Sequence, residues 1–234
     1  MEHTLLAKDW HLRPSAKVRV LTVALSVAMA GVAAHAQTAV GGQVTAFKDT
    51  SMLKPPAGVK VAVIEWEDPE CPACARAFPI VHAGVKQYNI PLVRYDFHIN
   101  GHIWSADAAL YARYLQDKVS ADLATQYRRE VFASQFKIAS QDDLKQFTQQ
   151  FFSRNGKQMP FVVDPTGQLA KEIKADNDLG LKLGLAETPT IIVVTPKEWI
   201  QVKDVMDLYQ AIDKAEADTK NMAAVAPVKP APHK

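Results

Sequence analysis

Short continuous apolar runs alternate along the chain with longer segments in which apolar residues recur every three or four positions. The short runs are typical of buried strands, and the longer segments are typical of amphipathic helices. The runs predict strands over Val59–Trp66, Ile90–Phe97, Thr190–Thr195 and Glu198–Val202. The spacing predicts helices over Pro72–Tyr88 and Asp204–Ala217, and a helical region from about 105 to 184.

This order predicts an α/β fold in which a βαβ half and a ββα half are separated by a helical insertion. A strand, a crossover helix and a parallel strand form a right-handed unit, and a final hairpin and helix complete a small sheet. Within the insertion, Ser140-Gln141-Asp142-Asp143 resembles a capping box that opens one helix. Asp164-Pro165 predicts the start of the next helix, which ends near Gly184.

The first 36 residues have the pattern of a secretory signal peptide. Four basic residues lie between positions 8 and 19, an uncharged apolar run covers 20–34, and Ala34-His35-Ala36 fits a signal-peptidase site. We predict cleavage before Gln37 and export to an oxidising compartment such as a bacterial periplasm. The alternative is a retained anchor, although the apolar run is shorter than the span of roughly 20 residues that a membrane helix needs.

The remaining chain divides into three parts by composition. Residues 37–58 form a lead-in with a possible edge strand at Val44–Phe47, residues 59–220 form one domain, and residues 221–234 are an Ala- and Pro-rich tail expected to be disordered. Without the leader the chain carries 23 basic and 23 acidic residues. Because no basic excess remains, a nucleic acid or an anionic membrane is not expected as a partner.

The chain has only two cysteines, Cys71 and Cys74, and they lie where the first strand meets the first helix. Pro72 suits the first helical position, so Cys71 is expected at a helix N-terminus, which favours a thiolate. A Cys-x-x-Cys pair can serve as half of a zinc site, as a structural disulfide or as a redox-active dithiol. No second Cys pair exists, although His98 and His102 are four positions apart and keep the zinc alternative open. A disulfide across two residues closes too small a loop to stabilise much.

Cys71-Pro72-Ala73-Cys74 after a strand, Thr188-Pro189 before a strand, and the insertion between them resemble the thioredoxin superfamily. The size and place of the insertion resemble its DsbA-like branch, over roughly residues 59–217. The Asp68-Pro69-Glu70 segment, and His102 with Trp104-Ser105, are similar to many DsbA-like sequences. The resemblance implies a redox-active Cys71–Cys74 disulfide that acts by itself, with no further cofactor and no metal.

The same resemblance implies roles for individual residues. Cys71 is the expected nucleophile and Cys74 the resolving cysteine, and Pro72 and Ala73 between them tune the reduction potential. Ala73 replaces the His of the best-known DsbA motif, which implies a somewhat weaker oxidant. Thr188 and Pro189 are expected to bind an extended substrate strand, with a cis bond at Pro189.

Glu65, six residues before Cys71, matches the buried acidic position of the superfamily. It is expected to exchange a proton with Cys74, whereas the alternative is an outward-facing strand residue. The acidic residues Glu67, Asp68 and Glu70 either raise the pKa of the nearby thiol or form a solvated loop, and the second interpretation is favoured.

These expectations describe a periplasmic, monomeric oxidoreductase that passes its disulfide to reduced exported proteins. A membrane quinone-linked thiol oxidase would then recycle it. One alternative is a periplasmic reductase or isomerase that uses the same cysteines, which Thr188 before the proline favours. Another is a non-catalytic binding module with a structural disulfide.

Overall fold

The computed structural model describes residues 47, 48 and 50–221. The predicted signal peptide, the strand residues predicted at 44–46 and nearly all of the predicted tail lie outside this range. Its helices are α1 (Pro72–Tyr88), α2 (Ser105–Lys118), α3 (Ala121–Ser134), α4 (Gln141–Arg154), α5 (Gln168–Leu183) and α6 (Leu208–Thr219). Its strands are β1 (Ala62–Glu67), β2 (Leu92–Asp96), β3 (Thr190–Val194) and β4 (Trp199–Val202).

The strands form one sheet in the order β2-β1-β3-β4. β1 and β2 are parallel, β3 is antiparallel to β1, and β4 is antiparallel to β3. The helices α2 to α5 lie between β2 and β3 in the chain, so the predicted α/β fold with a helical insertion is confirmed.

Each face of the sheet is covered by apolar side chains because the side chains of a strand alternate between its two faces. Val63 of β1, with Val61 just before the strand, packs with α1 and α6, whereas Ile64 and Trp66 pack with Phe97 and the end of α5. The insertion has a separate core of its own, in which Tyr127 and Phe151 are among the largest buried side chains. The sheet and the insertion are therefore stabilised by different apolar clusters.

The ends of several elements differ from the predictions. β1 begins at Ala62 rather than Val59, and the last helix is preceded by a 3-10 turn at Val205–Asp207. α5 begins at Gln168 and not after Asp164-Pro165, because Gly167 adopts a left-handed φ of 70° that interrupts a helix. The Gly167 N–H donates to Asp164 O at 3.2 Å, so these residues form a turn before the helix.

Candidate active site

The two cysteines lie at the junction that the sequence predicts. β1 ends at Glu67 and α1 begins at Pro72, so Cys71 is the N-cap residue, with an extended backbone (φ −78°, ψ 120°). Both cysteines are free thiols. Cys71 is 8% exposed and Cys74 is 1% exposed, in the order expected for a nucleophile and a resolving cysteine.

Thr188 and Pro189 face the cysteines because of the strand order. β3 is antiparallel to β1 and Trp66 pairs with Thr190, so the start of β3 lies beside the end of β1. Cys71 Sγ lies 3.3 Å from Thr188 O, across 117 positions of sequence, and donates a hydrogen bond to it when the thiol is protonated. The Thr188–Pro189 peptide bond is cis.

Cys71 is the acidic thiol of the pair. Its pKa is lowered to about 5, first by a hydrogen bond from the Cys74 side chain, then by the Thr188 side chain and by the backbone N–H groups of Cys74 and Ala73, while burial opposes the shift. The Thr188 hydroxyl is buried and has no other hydrogen-bond partner among residues 50–221, so it is available to donate to a thiolate at Cys71. Cys71 is therefore a thiolate at neutral pH.

Cys74 behaves in the opposite way. Burial raises the pKa of its thiol well above the ordinary value, and the neighbouring Cys71 raises it further. The backbone N–H of Asp68 opposes this shift by donating to Cys74 Sγ at 3.4 Å. The site therefore contains one thiolate that is ready to react and one protonated thiol behind it.

Glu65 is completely buried, so the outward-facing alternative is wrong. It lies on the same face of β1 as Val63, below α1. Burial and the nearby Glu67 raise the pKa of Glu65 to about 8, although Arg94 and Arg128 act against this. Neither carboxylate oxygen has a hydrogen-bond partner within the described part of the chain.

The favoured interpretation of the acidic segment as a solvated loop is also wrong, because its carboxylates have protein partners. Glu67 is buried, with Oε1 lying 2.8 Å from Arg128 Nη1 and 3.0 Å from Arg94 Nε. Glu70 Oε2 accepts hydrogen bonds from the backbone N–H groups of Trp104 and Ser105 at the start of α2. Neither side chain is a cause of the Cys71 pKa shift.

The structure adds two residues that the sequence did not single out. Gln135, just after α3, donates from Nε2 to Pro69 O at 2.8 Å and to Cys71 O at 3.0 Å. Arg128 of α3 is buried and lies within 3.1 Å of both Glu67 and Asp96. A basic residue among the apolar positions of α3 was the only available signal for Arg128, and the sequence contains no signal for Gln135.

The histidines do not support the zinc alternative. His98 Nδ1 lies 2.8 Å from Ser105 Oγ, and His102 Nδ1 lies 2.7 Å from Asp68 Oδ2. Over the described residues, no group of three or more His, Cys, Asp or Glu side chains is placed to hold a metal ion.

A surface groove runs beside the cysteine pair. It is bordered by Thr188 and Pro189 on one side and by Ala73 and Arg76 of α1 on another. Glu187, Lys203 and Asp204 also line it, so together with Arg76 the groove has two cations and two anions. The groove is open to solvent.

Comparison with known proteins agrees with this geometry. A thioredoxin family model matches residues 56–214, which is most of the chain. No curated protein matches the sequence.

No helix of the described residues is long and apolar enough to cross a membrane.

Several solved structures share the fold. Alpha-DsbA1 of Wolbachia pipientis is 16% identical, with a TM-score of 0.57 over 71% of this chain and 92% of that one. Oxidised BdbD of Bacillus subtilis is 17% identical, with a TM-score of 0.55 over 72% and 100%. Alpha-DsbA2 of Wolbachia pipientis, described as a thiol-disulfide exchange protein, is 17% identical, with a TM-score of 0.53 over 70% and 88%.

The fold, with its helical insertion and its paired cysteines, is similar to the fold of these DsbA and BdbD proteins. The chain belongs to the thioredoxin family, as the match over residues 56–214 shows. Family and fold together support an oxidoreductase.

Proposed function

We propose that the protein is an exported thiol–disulfide oxidoreductase that introduces disulfides into reduced proteins through Cys71 and Cys74. The observation that carries this proposal is the unequal pair of thiols facing Thr188 and Pro189. Cys71 has a pKa of about 5, whereas burial raises the pKa of Cys74 well above 9.0. A structural disulfide needs no such difference between its two sulfurs.

The reaction begins from the oxidised protein, in which the two cysteines are joined. A substrate thiolate attacks Cys71 Sγ, the Cys71–Cys74 bond breaks, and a mixed disulfide forms while Cys74 leaves as a thiolate. A second substrate thiolate then attacks the substrate sulfur of the mixed disulfide, and Cys71 leaves as a thiolate. The substrate gains a disulfide, and the protein retains two electrons as its reduced pair.

Glu65 is the proton partner of Cys74 in this scheme. With a pKa of about 8, its carboxyl is protonated at neutral pH and can give a proton to the departing Cys74 thiolate. In the reverse reaction the Glu65 carboxylate accepts that proton. The proton passes in this direction because the buried Cys74 thiolate, whose pKa is raised well above 9.0, is a stronger base than the Glu65 carboxylate.

The electrostatics of Cys71 support the oxidase direction. A stabilised thiolate favours the reduced protein, and a disulfide whose reduced form is stabilised is a stronger oxidant. Ala73 provides no imidazole to add to this effect, so we expect a weaker oxidant than a pair with His at that position. A membrane quinone-linked thiol oxidase would accept the two electrons.

The proposal also covers the location, the oligomeric state and the substrate contact of the protein. We propose that the protein works in the periplasm as a monomer, after removal of residues 1–36. The groove beside Thr188 and Pro189 would hold an extended segment of the reduced substrate. The redox-active disulfide would act without a further cofactor or a metal.

The test is oxidative folding of a reduced, unfolded ribonuclease by the oxidised purified protein. We expect the oxidised wild type to restore ribonuclease activity, and we expect the Cys71→Ser variant to restore none of it. Unchanged activity in Cys71→Ser would overturn the catalytic proposal in favour of a binding module.

The reduction potential decides between an oxidase and the reductase or isomerase alternative. It is measured by equilibrating the Cys71–Cys74 pair against glutathione buffers. A reduction potential of about −270 mV, the value of thioredoxin, would contradict the oxidase direction, whereas the potential of DsbA itself is about −120 mV.

A further inference from the structure

Asp68 contacts both cysteines through its backbone. Its N–H donates to Cys74 Sγ at 3.4 Å, and its carbonyl oxygen accepts from the Cys71 N–H at 3.0 Å. The residue is completely buried between the end of β1 and the start of α1. A shift of this peptide would therefore move the donor that faces the Cys74 sulfur.

The side chain of Asp68 bonds to the segment that opens the insertion. Oδ1 accepts from Ser105 Oγ at 2.6 Å and from the Glu70 N–H at 2.8 Å. Oδ2 accepts from the Ile99 N–H at 2.8 Å and lies 2.7 Å from His102 Nδ1. Three of these four partners lie between the end of β2 and the first residue of α2, a segment that has no contact of its own with Cys74 Sγ among the hydrogen bonds of the described residues.

We propose that Asp68 is a positioning residue for Cys74, whose carboxylate is held by the start of the insertion so that its N–H points at the resolving sulfur. This inference rests on the proposed function, because it assigns a role in the same exchange reaction. It explains why Asp68, His102 and Ser105 come together beneath the cysteine pair.

The chemical reason is the charge that appears on Cys74. When a mixed disulfide at Cys71 is resolved, Cys74 loses a proton, attacks Cys71 Sγ and expels the other thiol as a thiolate. An N–H donor that already faces Cys74 Sγ stabilises the developing thiolate without reorganisation. By reversibility, the same donor helps Cys74 to leave when a substrate opens the disulfide.

A simple electrostatic role makes the opposite prediction. The negative charge of Asp68 lies near Cys74 and disfavours a second anion, so neutralising it would ease ionisation of Cys74 and speed resolution. Asp68→Asn removes this charge but also places an NH₂ donor where a carboxylate oxygen accepted hydrogen bonds. The positioning role therefore predicts slower resolution, and the charge role predicts faster resolution.

The experiment is stopped-flow reaction of the reduced protein with 5,5′-dithiobis(2-nitrobenzoate). Attack by Cys71 releases one aryl thiolate and leaves a mixed disulfide, and attack by Cys74 then releases a second and closes the Cys71–Cys74 bond. In Asp68→Asn we expect the second phase to slow about tenfold, which corresponds to about 1.4 kcal/mol, while the first phase changes by less than about twofold.

Glu70→Gln is the matched control because it removes a charge from the same loop. Its contacts with Trp104 and Ser105 use a single oxygen, which glutamine retains, so both phases should stay at wild-type rates. Ser105→Ala removes one donor to the Asp68 carboxylate without changing charge, and should slow the second phase by a smaller factor. If Asp68→Asn does not fold, Ser105→Ala still tests the positioning role of Asp68.

Each remaining outcome has one meaning. Faster second phases in Asp68→Asn and Glu70→Gln would replace the positioning role by a charge effect. Tyr127→Phe loses a buried hydrogen bond to Thr148 within the insertion, so a similar slowing there would show that general loosening is the cause. If the wild type shows no second phase, the proposed function is refuted. If the wild type shows two phases and both Asp68→Asn and Ser105→Ala show the same two rates, only this inference is refuted.

Discussion

The lowered pKa of Cys71 can be tested sharply, because one neighbour, Cys74, contributes most to the shift. The pKa is lowered from 9.0 to about 5, and the hydrogen bond from the Cys74 side chain is the largest cause. At pH 7 a thiol with a pKa of about 5 is about 99% thiolate, whereas a thiol with a pKa near 9 is about 1% thiolate.

This difference links stability to pH in the reduced protein. Between pH 5 and pH 9 the unfolded chain keeps a proton that the folded Cys71 has lost, so stability rises with pH over this window. The contribution is complete above about pH 9 and absent below about pH 5, with a slope of about 1.4 kcal/mol per pH unit between them. From pH 5 to pH 7 it amounts to about 2 kcal/mol.

The assay compares urea unfolding of the reduced wild type and the reduced Cys71→Ala variant at pH 5 and pH 7. The difference in unfolding free energy between the two proteins should grow in favour of the wild type by about 2 kcal/mol from pH 5 to pH 7. Groups that titrate equally in both proteins cancel. A difference that does not change with pH would refute the assigned ionisation.

Substitution of Cys74 identifies the source of the shift. Cys74→Ser retains a hydroxyl that can donate to the Cys71 thiolate, whereas Cys74→Ala has no donor there. Thiolate absorbance at 240 nm should show a Cys71 midpoint near the wild-type value in the serine variant and a clearly higher midpoint in the alanine variant. Equal midpoints in wild type and Cys74→Ala would show that other groups set the Cys71 pKa.

Two further predictions concern the buried residues Glu65 and Gly180. Glu65→Gln should remove a midpoint near pH 8 from the pH dependence of mixed-disulfide resolution, measured with the same aryl disulfide, and an unchanged profile would exclude Glu65 as the proton partner. Gly180→Ala should lower the unfolding free energy by about 1–3 kcal/mol in urea denaturation, because its Cβ would lie 2.5 Å from Phe97 Cδ2. Gly84→Ala is its control, since that Cβ would lie 3.3 Å from a flexible Leu208 methyl group, and equal losses would show that overpacking against Phe97 is not the cause.

Features encoded by neighbouring residues could be predicted from the sequence. The bounds of α1 agree with the prediction because Pro72 begins the helix and Asn89 ends it in a left-handed conformation (φ 51°). The predicted N-cap at Ser140 also forms, with its hydroxyl accepting from the Asp143 N–H, although Asp143 Oδ2 accepts from the Ala139 N–H and not from the Ser140 N–H of a full capping box. The start of α5 was wrong because a glycine in the left-handed region, and not the nearest proline, determined where the helix begins.

The environment of each acidic residue could not be read from the sequence. The same short segment contains Glu65, which lacks a partner among the described residues, and Glu67, which is paired with Arg94 and Arg128. Strand alternation places both on one face, but it does not say which helix covers that face. The partners come from β2 and α3, which are distant in sequence.

The sequence by itself determined the cysteine pair, its strand-to-helix junction and the helix end that faces Cys71, because these depend on adjacent residues. The tertiary structure alone decided that Thr188 O lies 3.3 Å from Cys71 Sγ and that Asp68 is bonded to the start of the insertion. The physical reason is that both contacts depend on strand order and on how the insertion packs. The hydrogen bond from Cys74, only three residues away, is the main reason that Cys71 is a thiolate, whereas burial, which only the tertiary structure provides, keeps Cys74 protonated behind it.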